Sequence, residues 1–159
     1  MRKVILALAA TAAALGGYAP VASADDKAKV CFVYVGTRTD GGWTQAHDIG
    51  RLELEKALGD KVETAFLEAV PEGPDAERAF ERMARSGCDL VFSTSFGFME
   101  ATAKVAAKFP KVKFEHATGF KTSENMATYN ARFYEGRYIQ GQIAAKMSEK
   151  GLGGYIASF

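Results

Sequence analysis

The sequence is poor in the residues that most often carry chemistry. It has two cysteines, two histidines, four prolines and one tryptophan in 159 residues. Neither cysteine has a second Cys or a His at metal-ligand spacing, which argues against a zinc site. Neither histidine, His47 or His116, stands in an H-E-x-x-H pattern. No G-x-G-x-x-G, no G-x-x-x-x-G-K-[ST] and no G-x-S-x-G elbow occurs, so phosphate-cradling loops and hydrolase nucleophiles are missing. Glu53 and Glu55 are two apart on an expected helix and do not face each other. Charge of one sign is also scarce: 20 Lys and Arg stand against 19 Asp and Glu, with no basic block. That balance argues against nucleic acid or an anionic membrane surface as partner. No catalytic constellation, metal or cofactor is implied.

Long apolar runs are absent too, apart from one at the start. Met1-Arg2-Lys3 is a charged opening, Val4 to Leu15 is apolar and small, and Gly16, Gly17 and Pro20 break it. Ala22-Ser23-Ala24 fits the small-x-small rule for signal peptidase, which makes residues 1–24 a cleavable export signal and Asp25 the mature start. The run is shorter than the roughly 20 residues that span a bilayer, which weighs against the alternative of a retained anchor. No Cys lies at the cleavage point to take a lipid. The remainder is long enough for one core, not two.

From residue 30 onward the chain alternates strand and helix. Val30 to Val35 reads as a strand buried on both faces. The turn from Gly36 to Gly42 leads into a helix over Trp43 to Leu58. A strand over Lys61 to Ala69 precedes a helix with Ala76, Ala79, Phe80, Met83 and Ala84 on one stripe. Further strands are expected at Asp89 to Ser93, Val112 to His116 and, as a short extended piece, Met126 to Ala131. Between the first two of these runs a helix with Thr102, Val105, Ala106 and Phe109 that stops at Pro110. A helix over Tyr134 to Lys150 shows the stripe Ile139, Ile143, Met147, and Tyr155 to Phe159 reads as a last strand. The fold class is α/β, a doubly wound parallel sheet with right-handed crossovers. Cys31 and Cys88 fall near the starts of strands expected to be neighbours. Two readings stand for them: a disulfide formed in an oxidising compartment, or two small buried apolar side chains.

In such sheets ligands bind beyond the carboxyl ends of the strands, at the switch in strand order. That rule selects Gly36 to Trp43 after the first strand and Thr94 to Phe98 after the third. Trp43 and Phe96 offer flat faces for a planar ligand, Phe98 being shared with its helix stripe. Asp40, Thr44, Ser95 and the amides near Gly97 offer polar groups. Trp43 reads equally as a helix-to-sheet packing residue, Asp40 as a turn or capping residue, and His116 as a strand-end residue open to the cleft.

Val33-Tyr34-Val35-Gly36 followed by Asp40-Gly41-Gly42-Trp43-Thr44-Gln45-Ala46-His47 resembles the basic membrane protein family of ABC-transporter solute receptors. So do Asp89 to Phe98, Lys113 to Gly119, Ala131 to Tyr138 and Gly154 to Phe159. The resemblance implies the first lobe of a type I periplasmic binding protein over residues 25–131, with residues 132–159 opening a second lobe. It implies a periplasmic, monomeric receptor that captures a purine-like nucleobase or nucleoside and delivers it to an ABC permease. Trp43 then matches the aromatic that stacks on the base, Asp40 the polar position of that loop, and Ser95, Phe96 and Gly97 the opposing loop. Family members run to about twice this length, so this stretch by itself is expected to present half a cleft. The runner-up is a flavodoxin-like or Rossmann enzyme domain with a nucleotide cofactor. The missing glycine pattern and the export signal count against it.

Overall fold

A computed structural model describes residues 27–157. The export signal, the Asp25 start and the last two residues of the expected final strand lie outside that range. Five strands, β1 (Ala28–Val33), β2 (Val62–Leu67), β3 (Leu90–Ser93), β4 (Lys113–Ala117) and β5 (Met126–Tyr129), form one sheet. The order is β2-β1-β3-β4-β5 and every pairing is parallel. Among the described residues the α-helices are α1 (Trp43–Leu58), α2 (Pro74–Arg85), α3 (Met99–Lys108) and α4 (Phe133–Met147). The order reverses between β1 and β3, so the loops after those two strands flank the switch point.

The faces of the sheet are covered differently. On one, α2 and α3 bury Ala76, Ala79, Phe80, Met83, Val105 and Ala106 against Val33, Val91 and Phe114. This is the stripe the 3.6-residue period predicts. Pro74 opens α2, where its missing N–H costs nothing, and Asp75 and Glu77 suit that end of the helix. On the other face, α1 covers Val30, Phe32 and Tyr34, but the residues it buries are Thr44, Asp48 and Arg51. The Tyr34 hydroxyl donates to Asp48 at 3.3 Å, and Arg51 donates to Asp48 at 2.7 Å, to Glu55 at 3.0 Å and to Thr64 at 2.9 Å. Buried charges are tolerated because each finds a partner. Glu55 is therefore a structural partner in this network, and burial with the adjacent Asp48 holds the Tyr34 hydroxyl well above its usual range.

Cys31 and Cys88 form a disulfide, with Cα atoms 6.0 Å apart, which decides between the two readings. Bridging positions 57 apart removes loop entropy from the unfolded chain, worth about 4 kcal/mol on the chain-entropy model.

Beyond residue 132 the expected helix is present as α4, and one expectation, the last strand, is corrected. The helical stripe on α4 is present, yet Ile139, Ile143 and Met147 are all more than half exposed, at 57%, 52% and 77%. Residues 152–157 are irregular and not the start of a strand. Tyr155 and Ile156 stand in solvent, because a strand needs a ladder partner and the described residues place none beside them.

Candidate ligand-binding site

The turn between β1 and α1 is built around Asp40. One carboxylate oxygen accepts the amides of Gly42 at 2.8 Å and Gln45 at 3.0 Å; the other accepts the amide of Thr44 at 2.8 Å. These are the amides that the first turn of a helix leaves without partners. The bonds from Gln45, Gly42 and Thr44 hold the carboxyl at about 2, below its ordinary value. Thr44 is fully buried, and its hydroxyl accepts the Gly36 amide at 3.2 Å. A Cβ on Gly36 would come within 2.9 Å of that hydroxyl, so glycine is required for the close approach. Asp40 and Thr44 are thus committed to the loop itself, and what the loop presents is Trp43.

Trp43 is 36% exposed at the first position of α1. Its indole N–H donates to the Thr94 carbonyl at 2.5 Å, which ties the β1 loop to the β3 loop across the switch point. Its ring lies 4.7 Å from His47 and 5.9 Å from Phe133, centroid to centroid. His47 is 6.2 Å from Tyr129, which meets Phe92 edge-on at 5.9 Å. The rings of Trp43, His47, Tyr129 and Phe133, with Thr118 and Asn130, line a cavity of about 300 Å³ at the carboxyl ends of β4 and β5. That is near the small end of the range for small-molecule pockets, and four flat faces with few polar groups suit a planar, largely apolar ligand. No Asp, Glu, Lys or Arg lines it.

The opposing loop is placed differently. Ser95 is buried; its hydroxyl donates to Glu72 at 2.6 Å and its carbonyl accepts His116 Nε2 at 2.8 Å. Phe96 is 36% exposed and pairs with Phe120 at 6.4 Å, apart from the ring cluster around Trp43. Gly97 lies against the Glu72 carboxylate, which fills the space a side chain there would need. Phe98 is fully buried and meets Phe80 edge-on at 5.5 Å, so it belongs to the core. His116 is fully buried behind the loop, and burial lowers its pKa.

Sequence reasoning passed over His47, Thr118, Tyr129, Asn130 and Phe133. Tyr129 ends β5 and Thr118 comes directly after β4, so the strand-end rule extended by two strands would have found them. Thr118 also has a positive φ of 66°, costly for a β-branched residue and unreadable from sequence. Burial and nearby Glu115 raise the pKa of the Tyr129 hydroxyl, which has no hydrogen-bond partner among the described residues. Among the described residues no group of three His, Cys, Asp or Glu is placed to hold a metal.

A five-stranded parallel sheet with an aromatic cavity between Trp43 and the carboxyl ends of β4 and β5 has the architecture of one lobe of an α/β solute-binding fold. The chain matches the family of PnrA-like ABC transporter substrate-binding proteins over residues 27–159, and it belongs to that family. It is 64% identical over 144 residues to a purine-binding protein of Brucella abortus, covering 91% of this chain and 40% of that protein. It is 39% identical over 137 residues to a Haloferax volcanii protein named provisionally as an ABC transporter glucose-binding protein, covering 86% of this chain and 34% of that one. Among solved structures, a solute-binding protein of an ABC transporter system from Aeropyrum pernix aligns with a TM-score of 0.64 at 27% identity, over 74% of this chain and 32% of that chain. The chain therefore spans well under half the length of these relatives.

Proposed function

We propose that residues 27–131 form the first lobe of a periplasmic solute receptor that holds a purine base or nucleoside for an ABC importer. The observation that carries this reading is the ring-lined cavity between Trp43 and the carboxyl ends of β4 and β5. The identity to the Brucella purine-binding protein supports a purine over other planar ligands. Trp43 stacks on the ligand, Asp40 and Thr44 fix the helix start that carries it, and Ser95, Phe96 and Gly97 shape the facing loop. Residues 132 onward open a second lobe, which supplies the polar groups for the rest of the ligand. Closure would come from both lobes touching one ligand. Export by the 1–24 signal and a monomeric state complete the proposal. Among the described residues no helix is long and apolar enough to cross a membrane.

Calorimetric titration of adenine, guanine, hypoxanthine and their nucleosides into the full gene product tests it, with glucose as the competing arm. Saturable heat with at least one purine and none with glucose supports the proposal. Glucose binding without purine binding would overturn it and favour a sugar stacked on Trp43.

A further inference from the structure

Glu72 belongs to no sequence motif, yet it reaches one of the two loops that flank the switch point. It sits in the turn between β2 and α2, and its carboxylate crosses to the loop after β3. There it accepts the Ser95 hydroxyl at 2.6 Å and packs against Gly97. No ion pair among the described residues takes its charge. Ser95 is held from the other side as well. Its carbonyl accepts the Phe98 amide at 3.1 Å and His116 Nε2 at 2.8 Å. Because that bond needs a proton on Nε2 and Nδ1 is buried without a hydrogen-bond partner among the described residues, the ring is the neutral Nε2–H tautomer. The residue before Ser95 supplies the carbonyl that receives the Trp43 indole.

The geometry points to Glu72 as a positioning residue for the binding face: through Ser95 it fixes the turn that aims Phe96 and holds the β3 loop to Trp43, with His116 as the backstop. This rests on reading that edge of the sheet as the ligand site. The physical reason is local. Ser95 is 7% exposed, and its bond to Glu72 is the tether between the two loops, so removing either partner frees the turn to move.

The test uses the 159-residue chain without ligand. Trp43 is its only tryptophan, so emission and acrylamide quenching report that residue alone. Glu72→Ala should speed exchange of the Phe98 amide about five- to tenfold, the loss of roughly one net hydrogen bond, and should open Trp43 to quenching. Glu72→Gln keeps an acceptor for Ser95 and should restore both readings, with thermal melts confirming folded protein throughout. Ser95→Ala removes the other half of the same bond and should match Glu72→Ala, with no added effect in the double variant. Should Glu72→Ala fail to fold, Ser95→Ala carries the same expectation. Unchanged exchange and quenching in Glu72→Ala or Ser95→Ala would overturn the role. So would a Glu72→Gln variant as loose as Glu72→Ala, since the charge and not the bond would then matter. These readings need no purine, so failure of purine binding would leave them standing, and their failure would leave purine binding standing.

Discussion

The two faces of this sheet solve the same problem with different chemistry. Under α2 and α3 the contacts are methyls and rings: Ala76, Phe80, Val91 and Phe98 are almost wholly buried. Under α1 they are a hydroxyl, a carboxylate and a guanidinium, hydrogen-bonded from Tyr34 through Asp48 to Arg51. Contacts on the apolar face are nondirectional, whereas on the polar face a shift would leave a buried charge without its partner. The helix that must carry Trp43 to a fixed place is the one held by directional bonds. Arg38, in the same turn as Asp40, adds to this by lying 4.1 Å above the Phe66 ring and pairing with Glu68 at 3.3 Å.

That contrast is open to measurement, beginning with its largest expected effect. Phe80→Ala should cost about 4 kcal/mol in denaturant unfolding, the usual loss for a buried phenylalanine. A loss under about 1 kcal/mol would mean that the α2 face is not tightly packed. Replacing Cys31 and Cys88 together by Ala should cost about 4 kcal/mol. The parent treated with reductant should approach the same midpoint, and no shift under reduction would place the bridge outside the stability of this lobe. On the polar face, Arg51→Ala should cost about 2 kcal/mol by stripping Asp48 of its main partner. Pairing Arg51→Met with Asp48→Leu should recover part of that loss while loosening α1, because a nonspecific contact replaces a directional one. Strict additivity of the two changes would show that the pair does not act as a unit.

The smallest effect is on pH. His116 has a lowered pKa because burial disfavours its charged form. The unfolded chain protonates this histidine at about 6.5 while the folded chain does not. The unfolded state then binds the extra proton, so stability falls as pH drops through that value and levels off beneath the folded pKa. His116→Asn should flatten that part of the stability profile relative to the parent. Identical slopes in the two proteins would place the titration elsewhere.

How much was legible in the sequence divides along the same line. The α2 stripe at Ala76, Ala79, Phe80, Met83 and Ala84 is a sequence pattern that is also a packing surface, so periodicity located both the helix and its buried side. For α1 periodicity located the helix from Trp43 to Leu58 but not its buried side, since Asp48 and Arg51 carry no hydrophobic signal. For α4 the stripe is present but left exposed among the described residues, because periodicity says what a helix offers and nothing about what meets it. The parallel sheet came from the alternation of elements, and the flavodoxin-like order put the loops after β1 and β3 at the switch. Trp43 was legible because one tryptophan stood at a predicted strand end. Glu72 was not, because its place depends on how loops cross in space, whereas Tyr129 and Thr118 lie at the ends of β5 and β4, beyond the two strands to which the strand-end rule was applied.

The most direct test concerns Trp43 itself. In the full gene product, calorimetry with the purine that binds best should show Trp43→Ala weakening affinity by about 1–3 kcal/mol, the worth of stacking a base on an aromatic ring. Trp43→Phe, which keeps a flat face but loses the bond to Thr94, should fall between the two, and the thermal midpoint should barely move because the ring is 36% exposed. Unchanged purine affinity in Trp43→Ala, with a clear drop in the thermal midpoint, would contradict this and make Trp43 a packing residue.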